Sequence, residues 1–237
     1  RLFGSSPLAR GTHVDASQFV LDGRFIPAGA GNTRRHRPCR PHHTVHPRWR
    51  GEHSAKSFRH VEAGFAVADL PYPLFDYQAP IVKWALKRGK AAIFADTGLG
   101  KTIMQLAWAD QVAKHTGCPV LILAPLAVSN QTIEEGAKYG IHVEKANAGA
   151  PMFGSHVVIT NYEQLHKFSP DVFQGVVLDE SSILKGMDGR RRKEITEFAQ
   201  SIPYRLSCTA TPSPNDFMEL GTQSEFLGNM SQVEMLA

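Results

Sequence analysis

The stretch A95-D-T-G-L-G-K-T102 constrains this chain more than any other. Before it lies AAIFAD (91–96), an apolar run of strand length. After it, Ile103, Leu106 and Ala107 share one helical face within residues 101–115. A glycine-rich turn that leaves a buried strand and opens a helix belongs to a strand–helix–strand crossover, hence to a parallel sheet. The same alternation continues down the chain. PVLILAP (119–125) predicts a strand, and a helix follows near 128–139. HVVITNY (156–162) and VVLDES (176–181) predict two more strands. Residues 189–200 predict a charged helix and YRLSCTAT (204–211) a strand. A last helix is expected to start near Asn215 or Asp216, just after Pro214, with either residue as its cap. The expected fold class is α/β: a parallel sheet with helices on both faces, its ligands at the carboxyl ends of the strands.

The chemistry-bearing residues fall at those ends. In ADTGLGKT, Gly98 and Gly100 let the backbone N–H groups of Thr97 to Thr102, Leu99 included, close around phosphate. The helix start adds its dipole. Lys101 would reach the outer phosphates of ATP and the Thr102 hydroxyl would hold Mg²⁺. Ala95 stands where the commonest form of this pattern has glycine. In VVLDES, Asp179 and Glu180 leave the tip of an apolar strand. Asp179 suits a Mg²⁺ ligand and Glu180 a general base acting on water. Thr209, Ala210 and Thr211 at the next tip could couple the nucleotide site to a moving partner. Phe75-Asp76-Tyr77-Gln78 lies 23 residues before Lys101. There Gln78 could pair with an adenine edge while an aromatic ring packs on the base.

In order and spacing these segments resemble the first motor domain of superfamily 2 helicases, the DEAD/DEAH-box and SWI/SNF-like members. FDYQ is similar to the adenine-reading motif, ADTGLGKT to motif I, LDESSILK to motif II and SCTATP to motif III. The resemblance covers about residues 70–237 and implies a RecA-like P-loop lobe that uses ATP and Mg²⁺. LAPLAV (123–128) and ITNYEQL (159–165) resemble segments that touch the nucleic-acid backbone in the family. Pro125, Leu126, Asn161 and Tyr162 are carried over on that ground. Ser181-Ser182 departs from the Ala-His of DEAH enzymes. The closing PNDFMELGTQSEFLG is similar to phage and prophage versions. The implied partner is nucleic acid, DNA in preference to RNA. A second RecA-like lobe, with its arginine finger, is expected beyond this chain, which alone would turn over little ATP. Two other readings are a P-loop NTPase of another class and an inactive product that binds nucleotide without turnover.

Residues 1–60 have a different texture. They hold 11 Lys and Arg against 3 acids, and seven of the 11 histidines, without helical or strand periodicity. Residues 61–237 hold 15 basic residues against 19 acids, so the net charge of +4 is no argument that the folded part binds nucleic acid. Three phrases, GSSPLARGT (4–12), RFIPAGAGN (24–32) and VHPRWRGEH (45–53), back-translate to one 29-base DNA string read in three frames at 61-base intervals. That pattern resembles translated CRISPR-array DNA. The segment is expected to be disordered and non-native, with the native start after residue 53; the first Met is Met104. His36, Cys39, His42, His43 and His46 are too irregular for a convincing zinc site. A basic arm on nucleic acid is the other functional reading of this segment. Three widely spaced cysteines, no signal peptide and no membrane-length apolar run point to a cytoplasmic protein without a membrane partner, and the array and phage resemblances imply a prokaryotic cell or a phage-infected host.

Overall fold

The computed structural model describes residues 64–146, 156–185, 189–212, 220–231 and 234. The N-terminal repeat and its zinc reading lie outside the described residues. So does the expected helix start at Asn215 or Asp216.

Six parallel strands form one sheet in the order β1-β6-β5-β2-β4-β3. They are β1 (Lys90–Phe94), β2 (Val120–Ala124), β3 (Val143–Lys145), β4 (Val157–Asn161), β5 (Gly175–Asp179) and β6 (Tyr204–Thr209). The helices are α1 (Gln78–Arg88), α2 (Lys101–Thr116), α3 (Ser129–Lys138), α4 (Gly189–Gln200) and α5 (Leu220–Leu227). β2 and β5 are buried at all five positions, which is why they read as unbroken apolar runs. Right-handed crossovers fix where the helices go. β1-α2-β2 and β2-α3-β3 step one way across the sheet. β5-α4-β6 steps the other way, so α4 covers the opposite face. Leu121, Leu123, Val176 and Leu178 pack there against Ile195, Phe198, Phe226 and Leu227 of α4 and α5.

Helix α2 differs from the expected one-faced amphipathic helix. Nine of its residues are buried, among them Met104, Gln105, Trp108 and Ala109. It is sandwiched between the sheet, α1 and α3, so it has little solvent face to keep polar. Strand β3 was not expected. It is a three-residue edge strand, too short to show a period. Among the described residues no helix is long and apolar enough to cross a membrane.

Two features set the β6 side. Arg205 is 3% exposed, and burial pushes its guanidinium down to about 10. It is held because it donates to the carbonyls of Ile202 (2.9 Å), Gln200 (2.8 Å) and Phe226 (3.1 Å), locking the end of α5 to β6 and the turn after α4. Cys208 on β6 is free and buried, and burial raises its thiol pKa well above the usual range.

Candidate functional site

The phosphate loop is built from its glycines. Gly98 and Gly100 have φ of 82° and 70°, the left-handed region that side chains disfavour. A Cβ on Gly100 would clash with Gln78 Nε2. Asp96 shapes the turn before them: its Oδ1 accepts from the Thr97 backbone N–H at 2.7 Å, and its carbonyl accepts from Leu99 N–H. Helix α2 starts at Lys101, directly after Gly100. Its first free N–H groups therefore belong to the loop. Thr97 and Gly98 are exposed; Leu99, Gly100, Lys101 and Thr102 are half-buried.

Gln78 departs from its expected place against an adenine edge. It is 1% exposed. Its Oε1 accepts from Phe75 N–H and its Nε2 donates to Leu99 O, each at 3.0 Å. The amide is a strut between the start of α1 and the phosphate loop. The Tyr77 hydroxyl donates to the same Leu99 carbonyl at 3.2 Å, so two neighbouring side chains hold that loop carbonyl. Phe75 and Tyr77 stay outside, 68% and 43% exposed, with nearly parallel rings 5.9 Å apart.

The carboxylates meet the loop across β6. Lys101 Nζ donates to Ala95 O at 3.0 Å and lies 3.7 Å from Glu180 Oε1. Glu180 is the one non-glycine residue of positive φ (52°) among the described residues, a geometry that costs ~1–2 kcal/mol and is kept only where surroundings impose it. Thr209 Oγ1 donates to Glu180 Oε2 at 3.4 Å, and its oxygen accepts from Thr211 N–H at 3.1 Å. Asp179 is 9% exposed. Burial pushes its carboxyl up to about 6. The amide of Gln105 and the Lys101 charge pull it down, and Glu180 pushes it further up. Gln105 is fully buried one turn along α2, near enough to favour the Asp179 anion. Yet neither polar atom of its amide reaches hydrogen-bonding geometry with any described group.

These donors fit a magnesium ion. The Thr102 hydroxyl and the Asp179 carboxylate are hard oxygens, and a buried carboxylate short of donors gains most from a divalent cation. Among the described residues no cluster of three or more His, Cys, Asp or Glu could bind a metal alone.

The remaining candidates line the other half of the same edge. Ala124 at the end of β2 is in register with Asn161 at the end of β4, so Pro125, Leu126 and Asn161 are neighbours. Leu126 is 64% exposed. The Asn161 side chain accepts from Gln164 N–H at 3.0 Å, capping the turn Tyr162–Lys167. Tyr162 departs from its expected place on a nucleic-acid surface. Its ring is 8% exposed, and its hydroxyl donates to the Asp179 carbonyl at 2.5 Å, reaching past β2 to the tip of β5. Ala210 is half-buried and Thr211 exposed beyond the end of β6. Gln105, Ser207 and Gln223, all buried near these tips, were not foreseen; their side-chain types alone carry no signal.

Residues 75–220 match the family model described as DEAD/DEAH box helicase. Among solved structures, the Sulfolobus solfataricus SWI2/SNF2 ATPase core in complex with dsDNA is similar at TM-score 0.57 and 24% identity, over 75% of this chain and 40% of that one. The UvsW helicase from bacteriophage T4 is similar at TM-score 0.54 and 16% identity, over 65% of this chain and 57% of that one. The Pyrococcus furiosus Hef helicase domain is similar at TM-score 0.52 and 18% identity, over 64% and 36%. This chain thus spans less than two thirds of the length of each. A search of curated proteins finds no match.

Proposed function

This chain belongs to the DEAD/DEAH box helicase family, and from that premise we propose that it is the ATP-binding lobe of an ATP-dependent helicase or translocase acting on nucleic acid, DNA in preference to RNA. The observation that carries the reading is the meeting of the glycine loop after β1 with the tip of β5. Lys101 of the glycine loop stands 3.7 Å from Glu180, and Glu180 adjoins the buried carboxylate of Asp179.

Each group then has a task. The N–H groups from Thr97 to Thr102 cradle the phosphates, and Lys101 exchanges the Ala95 carbonyl for phosphate oxygen. Thr102 and Asp179 hold Mg²⁺, which neutralises charge on the outer phosphates when bound. Glu180 accepts a proton from the attacking water. Phe75 or Tyr77 packs on the adenine, and Gln78 braces the loop through Leu99. Thr209, held to Glu180, reports the state of that carboxylate to Ala210 and Thr211. The nucleic-acid backbone lies along Pro125, Leu126 and Asn161, on the same edge of the sheet but beyond β5. The similar Sulfolobus core bound to dsDNA supports DNA as the track.

The cation that stabilises the transition state is assigned to a second lobe, so these residues alone bind Mg–ATP and turn it over slowly. The test is hydrolysis by residues 60–237 with and without duplex DNA or RNA. Little turnover is expected, with more retention on DNA than RNA. Fast DNA-stimulated hydrolysis, abolished by Lys101→Ala, would show that no second lobe is needed. Equal indifference to both nucleic acids would favour a P-loop enzyme of another class.

A further inference from the structure

Behind the catalytic tips lies a row of polar groups that nucleotide binding does not use. Ser181 follows Glu180 directly and is fully buried. Ser207 on β6 is fully buried, and Gln223 on α5 is 2% exposed. Ser207 Oγ is 2.9 Å from Ser181 Oγ and in hydrogen-bond contact with Gln223 Oε1. A hydroxyl has one proton to give, and an amide oxygen only accepts. Ser207 therefore donates to Gln223, and Ser181 donates to Ser207. Gln223 Nε2 has no partner among the described residues; turning the amide over only exchanges which end goes without. A half-satisfied polar row is a costlier filling for a core than leucine or alanine would be.

Its position shows what it does. Ser181 opens the turn Ser181–Lys185, whose Ile183 N–H donates to the Glu180 carbonyl at 2.9 Å. Glu180 is the left-handed residue that this turn must hold. Ser207 and Thr209 project to the same side of β6, two residues apart, and Thr209 holds the Glu180 carboxylate. One strand thus grips Glu180 at both ends: Thr209 at the side chain, Ser207 through Ser181 at the backbone.

We propose that Ser181, Ser207 and Gln223 are positioning residues for Glu180, and that through them the aim of the carboxylate is tied to helix α5. The proposal rests on Glu180 being the general base. It deepens that reading by making α5 a lever on the site.

The full chain tests it with Gln223→Met, Ser207→Ala and the double variant. Three quantities are measured: Mg–ATP affinity, single-turnover hydrolysis with protein in excess, and amide hydrogen exchange across residues 181–185. Gln223→Met should leave affinity within about twofold, slow hydrolysis about tenfold and speed exchange at 181–185. The double variant should be no worse than the worse single, because one row has been cut twice. Unchanged exchange at 181–185 overturns the proposal. So does a joint fall in affinity and rate with faster exchange throughout the domain. Glu180→Gln run alongside separates the two levels. If it hydrolyses like the parent in single turnover, the reading of Glu180 is what fails. The exchange at 181–185 still decides whether the row holds the turn.

Discussion

The two halves of the proposed nucleotide site are held by different means. The glycine loop is shaped mainly by backbone: two left-handed glycines, an Asp96 turn and the start of α2, with Tyr77 and Gln78 both donating to Leu99 O. The carboxylate half is shaped by buried side chains. Asp179 sits against desolvating neighbours, Glu180 is pinned in a strained conformation, and Ser181, Ser207 and Gln223 lie behind them. A loop made of backbone can reshape around a ligand at small cost. Carboxylates set in a packed interior keep one geometry, which hydrolysis needs and binding does not. Under the proposed function the contrast implies a division of labour: affinity would belong to the first half and turnover to the second.

That division can be broken by substitution. Glu180→Gln should lower single-turnover hydrolysis by ~10²–10⁴ with Mg–ATP affinity kept; a parallel loss of affinity would erase the distinction between the halves. Arg205→Met leaves three main-chain carbonyls without their donor, so a loss of about 3 kcal/mol in denaturant unfolding is expected. ATP affinity, normalised to folded protein, should stay the same.

Asp179 predicts a pH dependence. Its folded pKa, about 6, lies above the ordinary 3.8. Between these values the folded state holds the proton more tightly than the unfolded chain. Its contribution is therefore most favourable at low pH and is lost as pH rises through about 6. Asp179→Asn should flatten that slope and raise stability near pH 7 by on the order of 2 kcal/mol, while weakening the Mg²⁺ dependence of nucleotide binding. Thermal melts from pH 4 to 8 read the first effect and a Mg²⁺ titration the second. The smallest change is Tyr162→Phe. It removes the donor to the Asp179 carbonyl and should cost about 1 kcal/mol, read by denaturant unfolding, with nucleic-acid affinity unchanged because the ring is buried. A large loss of nucleic-acid affinity would return Tyr162 to the surface.

The same contrast decides what could be read from the chain. The loop half was legible because its signals are local: strand, glycines, Lys101 and helix follow one another within about a dozen residues, and the structure keeps that order. The strands carrying Asp179 and Thr209 were legible as apolar runs, and α4 as a charged helix over 189–200. What escaped depends on contacts distant in sequence. Ser207 meets Gln223 sixteen residues on and Ser181 twenty-six back, so neither serine looks different from a surface one. Gln78 carried a local pattern, but its amide is turned inward by Leu99, twenty-one residues away. Tyr162 was placed with its exposed neighbour Leu126, although burial against β5 governs it. Helix α2 lost its polar face because α1, outside its own window, covers it.

The central claim, an ATP-binding lobe whose loop and carboxylates act on one nucleotide, is tested most directly by calorimetric titration of Mg–ATP into this chain and its Lys101→Ala variant. Saturable one-to-one binding is expected, weakened about 100-fold in the variant, since a charged hydrogen bond to phosphate is worth ~1.5–3 kcal/mol and a full charge is lost with it. No binding by the parent chain, or equal binding by both, would contradict it.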